Sequence, residues 1–408
     1  MAEEKTILRF EELRFKKEAR GVKALFLGNY HFLISTEDLQ SIGAYSVGTH
    51  SLAFQASEKR ARNKFNILLE KGFGNLISPN KRNTVYIHRN SGIPLMGTNT
   101  FGIVDRDTNV IEIKPMTGCN LNCTFCSVDE GLHGRKTRDF LVEAGYLVQE
   151  FEKVSRDKKH PVEAHIGGQC DSTLYPQLQE LISGLREIKN VREISIDTNG
   201  VLLNENLVDA LKKRGLTRIG LSIHSLDPQK ARVLAGTAYN VRHMTSIAKY
   251  ISKKMQLVLT PVLVPGVNEE DIEELILFSK ELGCPIGIQN YLEYSHGRRP
   301  VDQMAMQEFN ELLELWEKKF DVDLHLRGIF SFFADRTLEK PFRKGQRVPV
   351  KILFQGKYDD ELICAAKDRL VTALLPPASA RKRLSPGNTI IVKIVRDKHN
   401  IFKAVLAK

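Results

Sequence analysis

No run of 18 or more apolar residues occurs in the 408-residue chain, so no membrane-spanning helix and no membrane partner are expected. The opening Met-Ala-Glu-Glu-Lys carries no apolar stretch of the secretory kind. Tryptophan occurs once and cysteine six times. Three of those cysteines share one loop, which does not make a disulfide framework, and a reducing cytoplasm is the implied setting. No second C-x2-C pair accompanies that loop, and no fourth cysteine follows closely. The apolar share of 42% is that of an ordinary globular chain, and the length calls for two or three domains.

What is present falls into three textures. Residues 1–105 read as a small α/β domain. Ala24–Leu27 and Tyr30–Ile34 form a strand pair turning at Gly28-Asn29, followed by a helix over Ser57–Leu69 and a strand over Thr84–His88. Nothing there carries a chemical signature, so it reads as a structural or substrate-shaping cap. In residues 106–338 short apolar runs alternate with longer amphipathic segments. Strands are expected at Ile111–Lys114, Glu163–Gly168, Glu193–Thr198, Arg218–His224, Leu257–Pro265 and Ile286–Tyr294. Helices are expected near 138–156, 176–189, 204–214, 240–253, 269–283 and 303–319. This α/β pattern predicts a partial, TIM-like (βα)6 barrel, with its chemistry at the C-terminal strand ends. Phe330-Ser-Phe-Phe333 is expected to pack against that barrel.

Residues 339–408 break into five short strands, at Arg347–Phe354, Glu361–Lys367, Leu370–Leu374, Thr389–Val395 and Ile401–Leu406. Such a run predicts a small β-barrel of OB or SH3-like type. Residues 341–408 hold 15 Lys and Arg against 5 Asp and Glu, a net +10 out of +11 for the whole chain. That density, including Arg381-Lys-Arg383, suits contact with a phosphate backbone. A solvated face or a plain interaction barrel is the alternative.

The chemistry centres on Cys119-Asn-Leu-Asn-Cys123-Thr-Phe-Cys126, just after the first barrel strand. Three thiols at C-x3-C-x2-C can hold three corners of an iron–sulfur cube and leave one iron open. A zinc site or reduced structural thiols are the alternatives, although zinc usually takes four closed ligands.

This loop, with Phe125 just before its last cysteine, resembles the signature of the radical S-adenosylmethionine (radical SAM) superfamily. The resemblance implies a [4Fe–4S] cluster on Cys119, Cys123 and Cys126, and S-adenosylmethionine (SAM) chelated at the open iron. It implies reductive cleavage of SAM to a 5′-deoxyadenosyl radical that abstracts hydrogen, and the same six-unit partial barrel. Further SAM contacts are implied at later strand ends. Gly167-Gly168-Gln169 stands where the superfamily usually has Gly-Gly-Glu around the SAM ammonium. Gln169 can still accept a hydrogen bond there but brings no charge. Thr198 and Asn199 are implied for ribose or carboxylate oxygens. Ser222 and His224 share one face of the fourth strand, and His224 reads equally as a satisfied core residue. Gln289, Asn290, Tyr291, Tyr294, His296, Arg298 and Arg299 are candidates for substrate contact, with packing or a solvated loop as the alternative. Cys170, Cys284 and Cys364 read as inert thiols.

The C-terminal barrel resembles the TRAM domain, an RNA-binding module of tRNA- and rRNA-modifying enzymes, by length, strand pattern, position and charge. Together the two resemblances imply a tRNA-modifying enzyme of the archaeal TRAM-bearing type. Without cysteines for an auxiliary cluster, methylation or rearrangement is implied over sulfur insertion. The specific candidate is C-methylation of threonylcarbamoyl-adenosine (t6A) to its hydroxynorvalyl derivative (hn6A), consuming a second SAM. The implied partners are tRNA and a reductant protein or small-molecule electron donor, with the chain as a monomer. Two other classes stay open. One is a radical SAM enzyme acting on a small metabolite, lipid or peptide, its C-terminal barrel docking a protein. The other is a non-catalytic iron–sulfur RNA-binding or sensor protein.

Overall fold

A computed structural model describes residues 5–326, 332–376 and 384–407. Arg381-Lys-Arg383, Phe330 and Ser331 lie outside the described residues. The chain divides into two compact units, Met1–Ile87 with Thr137–Leu141, and His88–Lys136 with Val142–Lys408.

The first unit holds two three-stranded antiparallel sheets. Leu13–Glu18, Gly21–Phe26 and Tyr30–Ser35 form one, and Phe26 pairs with Tyr30 across the turn at Gly28, where φ is +83°. Lys5–Arg9, Ser51–Gln55 and Tyr45–Val47 form the other. The helix Glu58–Phe73 runs one turn beyond its expected end. Its Phe65 packs on Phe15 and Phe54, and its Phe73 packs on Phe26 and Phe32. Arg138–Val142, expected to open a helix, is instead a strand beside Asn83–Ile87. Its Phe-Leu-Val run favours a half-buried pleat, and the helix begins only at Ala144.

The second unit is built on a six-stranded sheet. Its order is Gln256–Leu259, Arg218–Leu221, Val191–Thr198, Val162–Ile166, Val110–Lys114 and Gly102–Asp105. Neighbours run parallel except at the last pair, which is antiparallel. The edge strand Gly102–Asp105, counted above with the N-terminal domain, therefore belongs to the barrel sheet. The expected fifth strand breaks at Thr260-Pro261, since proline offers no N–H to a ladder. It resumes as Val262–Leu263, paired in parallel with Gln289–Asn290. Bonds from Gly287 N to Leu259 O (2.7 Å) and Tyr291 N to Leu263 O (3.0 Å) carry the sixth strand past the break.

Along these strands Ile111, Ile113, Ala164, Ile166, Ile194 and Ile196 are fully buried. The alternating positions carry Glu112, Glu163, His165, Ser195 and Asp197, so one sheet face is apolar and the other polar. One helix, Pro228–Ala235, escaped the periodicity reading. Its start is nevertheless written in the sequence, because Asp227 accepts from Gln229 N and Lys230 N with proline in the first turn.

The C-terminal part is a closed five-stranded barrel, ordered Arg347–Gln355, Glu361–Ala366, Arg369–Leu374, Lys403–Leu406, Thr389–Arg396 and back to the first. Only Arg369–Leu374 and Lys403–Leu406 run parallel. Phe342, Val350, Ile352, Val371, Val392 and Phe402 fill it. Among the described residues no helix is long and apolar enough to cross a membrane.

Candidate active site

The cysteine loop leaves the C-terminal end of Val110–Lys114, as expected, and its three thiols are half-buried. Backbone amides already point at sulfur. Leu121 N donates to Cys119 Sγ at 3.4 Å and Glu130 N to Cys126 Sγ at 3.3 Å, while Asn199 Nδ2 lies 3.6 Å from Cys119 Sγ. Burial pushes the Cys119 thiol up, and pushes Cys123 up to about 12 despite the nearby Arg298 cation. At Cys119 and Cys123 a bound cation would therefore favour the thiolate.

The loop is clamped from the far side of the barrel by Arg298. Its Nε donates to Asp129 Oδ1 (2.8 Å), Nη1 to Cys123 O (2.6 Å), and Nη2 to Asn122 Oδ1 and Glu130 O (both 2.7 Å). Its backbone N–H adds a bond to Cys126 O at 3.0 Å, and its own carbonyl accepts from the buried Tyr291 hydroxyl at 2.8 Å. Arg298 and Tyr291, candidates for substrate contact from sequence, instead position the cysteine loop.

At the second strand end Gly168 has φ +89°, and a Cβ there would meet Lys114 Nζ at 2.6 Å. Gln169 is buried and its Oε1 accepts from Lys357 Nζ of the C-terminal barrel at 3.0 Å. Sequence reasoning missed Asp171. This buried carboxylate accepts from Thr198 Oγ1 (2.9 Å) and Asn199 N (2.7 Å), tying the third strand end to the Gly167-Gly168-Gln169 loop. Burial raises its pKa even though these donors oppose the shift. Thr198 thus spends its hydroxyl on Asp171, and Asn199 donates Nδ2 to Asn120 Oδ1 at 2.8 Å.

Ser222 pairs with Thr260 at 3.1 Å. His224 accepts from Val262 N at Nδ1 (3.1 Å), and burial lowers it to about 4, so it is neutral at physiological pH. Phe125 lies edge-on to it at 4.7 Å, in an apolar cluster with Leu234, Val264 and Tyr291. Phe125 and His224 are therefore packed together beneath the loop. Burial raises the Cys170 thiol as it raises Cys119 and Cys123.

The polar sheet face forms a network. His165 stands 2.9 Å from Ser195 Oγ and 3.2 Å from Asp197 Oδ2, and Glu163 is ion-paired to Arg218. Glu112 bridges Arg106 and Lys114. Burial would raise its carboxyl, but Lys114 and Arg106 hold it at about 2.

The C-terminal barrel lies directly over this mouth. Lys357 is buried, and its Nζ meets Glu130 Oε1 (2.8 Å) and Val128 O (2.9 Å) besides Gln169. Tyr358 donates to Val128 O at 3.1 Å and stacks on His296, ring centroids 3.9 Å apart. Between the two barrels a cavity of 710 Å³ reaches from Gly167, Gly168 and Gln169 to Arg396 and Lys403.

Three thiols in one amide-lined loop at the end of a parallel strand are a donor set of the iron–sulfur kind, carried on a partial βα barrel. The radical SAM superfamily profile matches residues 113–279. The uncharacterized protein MJ0103 of Methanocaldococcus jannaschii is 33% identical over 397 residues, spanning 87% of this chain and 89% of its own length. GTP 3′,8-cyclase of Aquifex aeolicus is 28% identical over 224 residues, 53% of this chain and 67% of its own. Among solved structures, SuiB of Streptococcus suis bound to S-adenosylmethionine shares 16% identity over 76% of this chain and 70% of its own, with a TM-score of 0.42. The chain belongs to the radical SAM superfamily and carries a closed five-stranded β-barrel in its C-terminal part.

Membership brings a [4Fe–4S] cluster and SAM as cofactors, and the donor set fits. Among the described residues no three His, Cys, Asp or Glu side chains converge tightly enough for one metal ion. Thiolates of a cube sit on separate irons and need no such convergence. Cys119, Cys123 and Cys126 would hold the cluster, which when bound supplies the electron that cleaves SAM. The chain's own part is to keep the loop closed through Arg298, to aim amides at sulfur, and to cover the mouth with Lys357 and Tyr358.

Proposed function

We propose that this radical SAM enzyme modifies a nucleoside of tRNA. One observation carries the reading. The β-barrel bearing nearly all the chain's excess positive charge turns two of its loops into the cavity above the cysteine site. In OB-type barrels the loops joining the first and second, and the fourth and fifth, strands bind oligonucleotides. The corresponding loops here, 356–360 and 397–402, hold Lys357, Tyr358 and Ile401 of the cavity wall. The closed Greek-key order with one parallel pair supports an OB or TRAM identity. A target base would leave its stack to enter such a cavity. C-methylation of t6A to hn6A is the specific reaction we infer, with tRNA and an electron donor as partners and the chain acting as a cytoplasmic monomer.

Mass spectrometry of tRNA nucleosides from cells with and without the gene tests the proposal. One nucleoside missing from the deletion strain is expected, and an unchanged profile overturns it. A second reading, a free phosphorylated metabolite as substrate, is favoured by the likeness to GTP 3′,8-cyclase and by a cavity of small-molecule size. It predicts an unchanged tRNA profile.

A further inference from the structure

The cavity between the barrels has an uneven wall. Five cations line it, Arg106, Lys114, Lys357, Arg396 and Lys403, against two carboxylates, Glu112 and Glu361. Three of the cations are already paired. Arg106 and Lys114 share Glu112, and Lys357 has Glu130. Arg396 and Lys403, both from the C-terminal barrel, have no carboxylate within 4.0 Å among the described residues. Arg396 braces its loop by donating Nη1 to Lys398 O and Ile401 O, both at 3.3 Å. Burial lowers its pKa and the neighbouring Arg106 lowers it further. Arg106 and Arg396 thus crowd one wall, opposed at Arg396 by Asp397 and at Lys403 by Glu361, and an entering anion relieves that crowding.

Two more features narrow the class of anion. Tyr294, 51% exposed, lines the same cavity and offers a stacking face beside the paired rings of His296 and Tyr358. Asn99, half-buried in the same wall, brings a side-chain amide able both to donate and to accept. Cations for phosphate, an aromatic face for a ring and an amide for a ring edge together describe a nucleotide.

We propose that this cavity binds a single phosphorylated nucleoside, its phosphate received by Arg396 and Lys403 and its base laid against Tyr294. The proposal rests on the nucleoside-modifying reading above and adds the subsite. The nucleotide can arrive free or as one residue of an RNA strand, since both present the same phosphate and base.

The test is equilibrium binding to the cluster-loaded full chain, with adenosine 5′-monophosphate and adenosine as probes and bulk tRNA as a separate arm. The wild type should prefer the monophosphate by about tenfold or more, the worth of one charge-assisted contact. Lys403→Gln, which leaves the Arg396 brace in place, should lose part of that preference. Arg396→Gln combined with Lys403→Gln should lose nearly all of it, with cluster absorbance unchanged in both variants. Equal binding of the two probes by the wild type, or an undiminished preference in Lys403→Gln, overturns the inference. Binding of tRNA without any monophosphate preference also overturns it and leaves the tRNA reading standing. A monophosphate preference without tRNA binding removes the tRNA reading and keeps the subsite.

Discussion

Replacing Arg298 by Ala tests how the cysteine loop is held. The side chain donates four hydrogen bonds into the segment from Asn122 to Glu130, two to carbonyls, one to an amide and one to the buried Asp129 carboxylate. Bonds from a charged donor are each worth about 1.5–3 kcal/mol when lost with a partner left unsatisfied. They are not additive, and Asp129 retains Arg135 at 3.1 Å, so a net loss of about 3 kcal/mol is reasonable. Spent on local opening of the loop, that is on the order of a hundredfold in the open population. The assay is release of iron to a chelator from the reconstituted protein. Arg298→Ala should lose iron on the order of a hundredfold faster while melting within a few degrees of the wild type. Arg298→Lys should be intermediate, because an ammonium cannot span four acceptors in one plane. Wild-type release in the Ala variant would refute the clamp.

Three further outcomes are expected. Ala at any one of Cys119, Cys123 or Cys126 should abolish the iron-dependent absorbance and 5′-deoxyadenosine formation together, and turnover surviving in such a variant would refute the site. Lys357→Met removes the buried ammonium between Glu130 and Gln169 while Lys136 still pairs with Glu130, so it should cost about 1–2 kcal/mol and raise amide exchange across 127–131 and 356–360; unchanged exchange there would show that the fastening lies elsewhere. For His165, burial disfavours the charge but Asp197, Glu163 and Glu112 raise its pKa above 6.5, against the opposing Arg218 cation. Its contribution to stability is fully present below about 6.5 and fades as pH rises through the folded value, so the melting-temperature gap between wild type and His165→Gln should narrow from pH 6 to pH 9, and a constant gap would refute the coupling.

The cysteine loop and most of the barrel strands were legible because both are local patterns. C-x3-C-x2-C spans eight residues, and alternating apolar and polar positions mark the strands Val110–Lys114, Val162–Ile166 and Val191–Thr198. The clamp was not legible, because Arg298 lies more than 160 residues from its partners and looks in sequence like a solvated loop cation. Asp171 was hidden for the same reason, its bonds to Thr198 and Asn199 reaching across a whole βα unit. His224 shows the opposite error. The strand expected to reach it ends at Leu221, so Ser222 and His224 lie beyond the pleat, and periodicity does not reveal that Val262 N already holds the His224 ring nitrogen. The break at Pro261 and the helix at Pro228 were both written in proline, and both were missed by weighing apolar runs above breakers.

The C-terminal barrel is where charge counting and geometry part. Read as a sum, +10 describes a uniformly sticky appendage; the strands divide it into two faces. Arg347, Lys351 and Lys393 are exposed on the outside, and Arg347 stands directly opposite Lys393 across the ladder. Like charges in that position repel, so the outer stripe is retained at some cost to the free protein, as a surface for a polyanion would be. Lys357, Arg396 and Lys403 turn inward and belong to the cavity wall. On the proposed tRNA reading, an RNA strand laid along the outer stripe delivers one nucleotide to the inner cations, and the barrel closes the space in which a single base meets the cysteine site.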